Sequence, residues 1–333
     1  MNFDRTRVND LEYIRRTRGA KNCRSTFLRI AETQRQKALA LINDSGLMFA
    51  TFFILRDEII KMNLREELND RGKTAMEICD IILGDKSGLP SYDRRIDEEI
   101  GNVRETLLWI FGTGIRDDGL NEDFDQILDN AAAVLIKDHC ESSVLPDVIK
   151  LIFERNRKGR YFHDIAWVCF QTRDVNALRF IAGYLRSGNP KDRALARSLL
   201  NLPEDIPLRT VQDRERRYLE YIEWLRENDP YIYFTGESFQ FSNSPILCSV
   251  DLNAKYLCKD CAECMRKRPI ELTEEERSKI SEFFSLTDEE KAELARTSQK
   301  LYKENPSLWE QWIHYPVDEQ IYTSRLGSGG ERV

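Results

Sequence analysis

No apolar run in this chain approaches the length of a membrane span. The longest, LMFATFFIL from Leu47 to Leu55, has nine residues, whereas a helix that crosses a bilayer needs about 20. Glycine and proline are sparse, at 16 and 10 in 333 residues, which excludes a fibrous or low-complexity protein. An excess of positive charge is also missing. Fifty Lys+Arg stand against 57 Asp+Glu for a net charge of -7, so the chain as a whole lacks the basic balance that binds nucleic acid by counterion release. The opening residues, MNFDRTRVND, contain no apolar signal core, and this predicts a cytoplasmic protein. Its eight cysteines are then reduced thiols or metal ligands rather than a disulfide framework. HExxH, GxSxG, Walker and Gly-rich dinucleotide patterns do not occur, so these residues support no hydrolase, transferase or nucleotide-binding activity.

What is present is a folding sequence, 41% hydrophobic and 32% charged, with enough apolar material for a sizeable core. Helical spacing dominates the first two-thirds. Phe27, Ile30, Ala31, Ala38, Leu41 and Ile42 share one helix face, and Leu47 to Leu68 continues as a more apolar helix. Further helices are expected at 73–83, 97–111, 124–139, 147–156, 162–172, 175–186, 191–201 and 211–227, with a loop over 84–92. The acidic segment Asp117–Asp123 lacks the EF-hand arrangement of carboxylates and reads as a turn that caps the next helix. The run Ala131-Ala132-Ala133 permits a neighbouring helix to approach closely.

The stretch 160–202 carries the most specific pattern. Ala177, Leu178, Ile181, Ala182 and Leu185 line one helix, Gly188-Asn189-Pro190 turns the chain, and Leu195, Ala196, Leu199 and Leu200 line the return helix. Pro190, Arg193, Ala196, Leu199 and Leu200 resemble the turn and second helix of a HEAT repeat. Asp192 departs from that pattern, which normally has an apolar residue there. Helices over about 25–158 resemble the family only in length and pairing. The resemblance implies an irregular HEAT-like α-solenoid, an irregular helical bundle being the alternative, and stacked helix pairs that expose a concave binding surface.

After Leu202 the character changes. Residues 1–227 read as a helical-repeat domain, and 228–333 as a C-terminal region with a β-hairpin, a cysteine cluster and two to three helices. Tyr231–Phe234 and Phe239–Phe241, on either side of Thr235-Gly236-Glu237-Ser238, are expected to pair, with Ile246–Val250 as a third short strand. Two capping boxes, Thr273 to Glu276 and Thr287 to Glu290, open helices. Trp309, Trp312 and Tyr315 either pack the last helices or anchor a partner.

Two constellations are candidate sites. Cys258, Cys261 and Cys264, with Cys248 upstream, have the spacing to hold zinc or an iron–sulfur cluster, although the ferredoxin run is incomplete. Lys259, Arg266, Lys267 and Arg268 nearby are expected to favour thiolates. The alternative is that these are packing thiols and the protein needs no cofactor. The second constellation is basic. Residues 1–37 hold ten Lys/Arg against four Asp/Glu, including Arg15, Arg16 and Arg18, and a further knot is Arg155, Arg157, Lys158 and Arg160. Such segments either engage an acidic partner or solvate a helix face. The expected function is a non-catalytic scaffold or adaptor whose HEAT-like groove holds a protein or peptide. Alternatives are a metal- or redox-binding protein centred on the four cysteines and, against the acidic balance, a HEAT-like nucleic-acid binder.

Overall fold

The computed structural model describes residues 9–84, 103–203, 208–260 and 271–328. Among these residues the chain is mainly α, with eighteen α-helices and one two-stranded antiparallel sheet. None of the helices is long and apolar enough to cross a membrane. The chain divides into two compact units: Met1–Arg155 with Asp164–Thr172, and Asn156–His163 with Arg173–Val333. The change of composition after Leu202 therefore falls inside the second unit.

The first unit begins with α1 (Asp10–Thr33) and α2 (Arg35–Ile42). Asn9 caps α1, and Gly19 bends it with a φ of 84° that a side-chain-bearing residue adopts only under strain. The expected single helix over 47–68 is instead α3 (Phe49–Ile54), α4 (Arg56–Lys61) and a 3-10 turn at Arg65–Glu67. Its run of aromatic and β-branched residues has poor intrinsic helix propensity, and Asn63, at a φ of 52°, ends the segment. Next come α5 (Asp70–Gly84), α6 (Val103–Gly114), α7 (Glu122–Lys137), α8 (Leu145–Arg157) and α9 (His163–Gln171). Part of the expected helix 97–111 and the expected loop 84–92 lie outside the described residues.

An aromatic knot forms the centre of this unit. Phe49 stacks on Phe124 with ring centroids 5.5 Å apart and meets Trp109 edge-on at 5.5 Å, while the Trp109 indole N–H donates to the Leu47 carbonyl at 3.0 Å. Gly114 ends α6 against this knot, and a Cβ there would lie 2.6 Å from Leu128 Cδ2, so a larger residue would force that buried side chain to shift. Ala131 and Ala132 in α7 are fully buried, consistent with close helix packing.

In the second unit, α10 (Val175–Gly183) ends in a 3-10 turn at Tyr184–Arg186, and α11 (Pro190–Leu199) returns. Asn189 caps α11, accepting from the Lys191 amide at 3.0 Å, with Pro190 in the first turn, where a missing N–H costs nothing. Asp192, the residue that departs from the repeat pattern, is wholly buried. It accepts two bonds of 2.7 Å from the Arg157 guanidinium and one of 2.6 Å from Ser187. The first turn of α11 is thus anchored by a carboxylate instead of an apolar contact.

Next come α12 (Val211–Asn228), β1 (Ile232–Phe234) and β2 (Cys248–Val250). The expected hairpin partner is corrected here: β1 pairs with β2, Phe234 opposite Cys248, and Phe239–Phe241 is not a strand. The Phe241 amide donates back to Ser238 at 3.2 Å and closes a turn. The Glu237 carboxylate accepts from the Ile246 amide at 2.7 Å and so draws the later segment alongside β1.

The chain finishes with α13 (Leu252–Tyr256), α14 (Glu274–Lys279), α15 (Ser281–Phe284), α16 (Asp288–Glu304), α17 (Pro306–Trp312) and α18 (Val317–Ser328). Both expected capping boxes are formed, at Thr273 and Thr287. Tyr256 stacks on Phe283 at 4.2 Å and donates to Gln320 at 2.6 Å. Trp312 lies in the same core, Trp309 packs against it half-buried, and Tyr315 is exposed.

Removing Arg157 tests the anchor on α11. Arg157→Met strands a buried carboxylate and is expected to destabilise the second unit by about 3 kcal/mol. Adding Asp192→Asn should recover part of that loss, because no charge is then left buried. Urea unfolding of the single and double variants measures both, and equal stability of Arg157→Met and wild type would exclude the anchor.

Candidate functional site

The second unit contains a cleft of about 650 Å³, within the size range of ligand pockets. Its long wall is α12. Arg217, Tyr221, Trp224 and Asn228 recur every three to four residues and therefore share one face of that helix. Leu200 to Leu202, at the end of α11, form one end, where Asn201 takes a left-handed φ of 50°. Ile246, β2, Leu252 and Lys255 of α13 and Arg296 of α16 also line the cleft. Asp251 sets the start of α13 by accepting from the Asn253 and Ala254 amides at 3.0 and 3.1 Å, and this places Lys255 one turn in.

The lining is apolar with a few polar groups. Lys255 is only 5% exposed. Its ammonium donates to the Asn228 side-chain oxygen at 2.7 Å, and among the described residues no carboxylate lies within ion-pair distance. Burial lowers its pKa, opposed by the charge of Glu227 and assisted by Lys303 and Arg296. The Tyr221 hydroxyl and the Arg217 Nε are buried without a hydrogen-bond partner. Burial, with the Cys248 thiol nearby, holds the Tyr221 phenol well above its ordinary value.

Of the four candidate cysteines, two lie among the described residues. Cys248 sits in the cleft wall, and burial pushes its thiol up to about 12. Cys258 contacts Ser298 Oγ at 3.8 Å, and burial pushes it up to about 11. The expectation that nearby lysines and arginines favour thiolates is corrected for these two: desolvation outweighs them, and Lys259 is held by Glu276 at 2.9 Å. Cys261 and Cys264, with Arg266, Lys267 and Arg268, lie outside the described residues. Among the described residues no group of three or more His, Cys, Asp or Glu is placed to hold a metal ion.

Several residues of the basic runs are held in ion pairs. Arg155 is a buried ion-pair residue, its guanidinium donating to Asp118 at 2.8 and 2.9 Å and to Asp129 at 2.8 Å. Arg15 bridges Glu12 at 2.9 Å and Asp117 at 2.8 Å, and Arg16 pairs with the same Glu12. Arg157 holds Asp192. Arg18 and Lys158 are exposed and Arg160 is half-buried. The acidic segment thus supplies two arginine partners, Asp117 and Asp118, while Asn121 caps α7 by accepting from Phe124 at 2.8 Å.

The cleft residues themselves are not singled out by the sequence. Tyr221 belongs to the apolar stripe of α12, but Trp224 sits just off it, and Lys255 stands alone in an otherwise unremarkable helix. A lysine one turn from Asp251 and beside the aromatic Tyr256 is the only local signal. No protein-family model matches the chain, and no curated protein or solved structure matches it either.

Two measurements check this electrostatic picture. Burial pushes Asp129 up to about 6 despite the neighbouring Arg155. A carboxyl whose folded-state pKa exceeds its unfolded value contributes stability at low pH and loses it as pH rises through about 6. The stability of wild type relative to Asp129→Asn is therefore expected to fall between about pH 4 and pH 7, and a flat difference would contradict it. In the second measurement, iodoacetamide should alkylate exposed Cys140 well before Cys248 or Cys258, because only the thiolate reacts. Peptide mapping reads the order.

Proposed function

We propose that this chain is a non-catalytic interaction scaffold, built on HEAT-like helix pairs, that holds a protein or peptide partner in the cleft of its second unit. One observation carries the reading. The cleft presents an indole, Trp224 at 38% exposure, and Ile246 at 43%, bordered by charges of both signs at Arg217, Glu220, Glu227 and Arg296. Apolar anchors inside a charged border are what an interface hot spot requires. The consecutive helices α10 and α11, joined by a short turn and leading to Leu200–Leu202 of the cleft, support the repeat reading.

The test substitutes the anchors. Trp224→Glu and Ile246→Glu are expected to abolish retention of a partner that wild-type protein captures reproducibly from native lysate, at unchanged helicity and thermal midpoint. An identical captured set for wild type and both variants would sink the reading.

A further inference from the structure

We infer that the cleft seats an organic anion, a carboxylate or phosphate head carried on an apolar body, with Lys255 and Arg296 receiving the head and Trp224 and Ile246 the body. This rests on the reading of the cleft as a binding site and specifies what enters it. The first support is a buried cation with no ion-pair partner among the described residues. A buried ammonium normally lies beside a carboxylate, because removing a charge from water is costly unless it is paired. Lys255 has three donors and uses one on a neutral amide, at 2.7 Å.

The acidic residues of the lining do not complete it. Glu220 is already engaged by Arg217 at 3.3 Å and by Arg216 at 3.9 Å. Glu227 is exposed and lies beyond ion-pair distance of the ammonium. The remaining charges that act on Lys255 include two more cations, Arg296 and Lys303. Arg296 is exposed on the rim and makes no ion pair among the described residues. Three cationic side chains, Arg217, Lys255 and Arg296, stand in the lining against two carboxylates, Glu220 and Glu227, which suits a ligand rich in acceptor oxygens.

The second support is the shape of the site. An inorganic ion would fill little of about 650 Å³. The apolar lining beside the cation adds affinity only to a ligand with a body that covers it. An apolar body also displaces water from around the ammonium and strengthens its attraction for the head.

The experiment titrates the full chain with 3-phenylpropionate, phenyl phosphate and neutral 3-phenylpropanamide, following backbone amide shifts of residues 252–256 by NMR. At least one of the anions is expected to shift these signals saturably and to bind at least tenfold more tightly than the amide, about 1.4 kcal/mol. Lys255→Met keeps the buried stem and removes the charge, so it should lose that preference. Arg296→Gln, on the exposed rim, should weaken the anion severalfold without touching the core. Which anion prevails identifies the head group. Equal binding of anions and amide, no shift with either anion, or an unchanged preference in both variants would overturn the proposal. Equal binding of all three would still leave the cleft a binding site and the scaffold reading intact, whereas an identical capture set with the Trp224 and Ile246 variants removes that reading by itself.

Discussion

Two adjacent carboxylates organise the first unit. Asp117 receives Arg15 from α1, and Asp118 receives Arg155 from α8, so a single turn between α6 and α7 binds helices 102 and 37 residues away in sequence. Neither arginine can be moved cheaply. A buried guanidinium without its carboxylate costs several kcal/mol, far more than an exposed pair contributes. The apolar core supplies most of the stabilisation, yet it tolerates alternative packings of similar volume. The ion pairs accept one arrangement only, because both the fork of the guanidinium and the position of each oxygen must match.

The same constraint explains which parts of the sequence are legible. The Asn189–Pro190 joint and the two expected capping boxes at Thr273 and Thr287 depend on residues within a few positions of one another, and each appears where its local chemistry predicts. The basic runs mislead for the opposite reason. Arg15 and Arg155 look like members of charged surface stretches, but their partners are in a distant turn, and only the fold reveals that they are buried. Asp192 is a parallel case: as a departure from an apolar pattern it suggests weaker packing, whereas its partners Arg157 and Ser187 make it an anchor.

Strand pairing shows how a local rule can be overtaken. Thr235-Gly236 is a plausible hairpin turn, and Phe239–Phe241 has strand-like composition. The chain instead uses Glu237 to capture the Ile246 amide, and Phe239 turns its ring toward His163, with centroids 5.5 Å apart. The connection of 13 residues between Phe234 and Cys248 brings β2 into register, and Cys248 and Ile246 line the cleft. That cysteine's thiol is desolvated there, and burial holds it in its neutral form.

The cleft was the least legible feature, and its logic is non-local throughout. Lys255 is acceptable in its own short helix, Trp224 in its own long one and Arg296 in a third. Their meaning arises from assembly, which buries a cation without an ion-pair partner among the described residues in the wall of a partly apolar cleft. Selection for stability alone tends to remove such a group, since a hydrophobic residue of similar volume is often neutral or stabilising in its place. A lysine kept there sacrifices folding free energy in the empty state and regains it when an anion arrives, since a ligand that binds only the folded form stabilises it by mass action. The cost of the unpaired charge and the affinity of the site are then two aspects of one interaction.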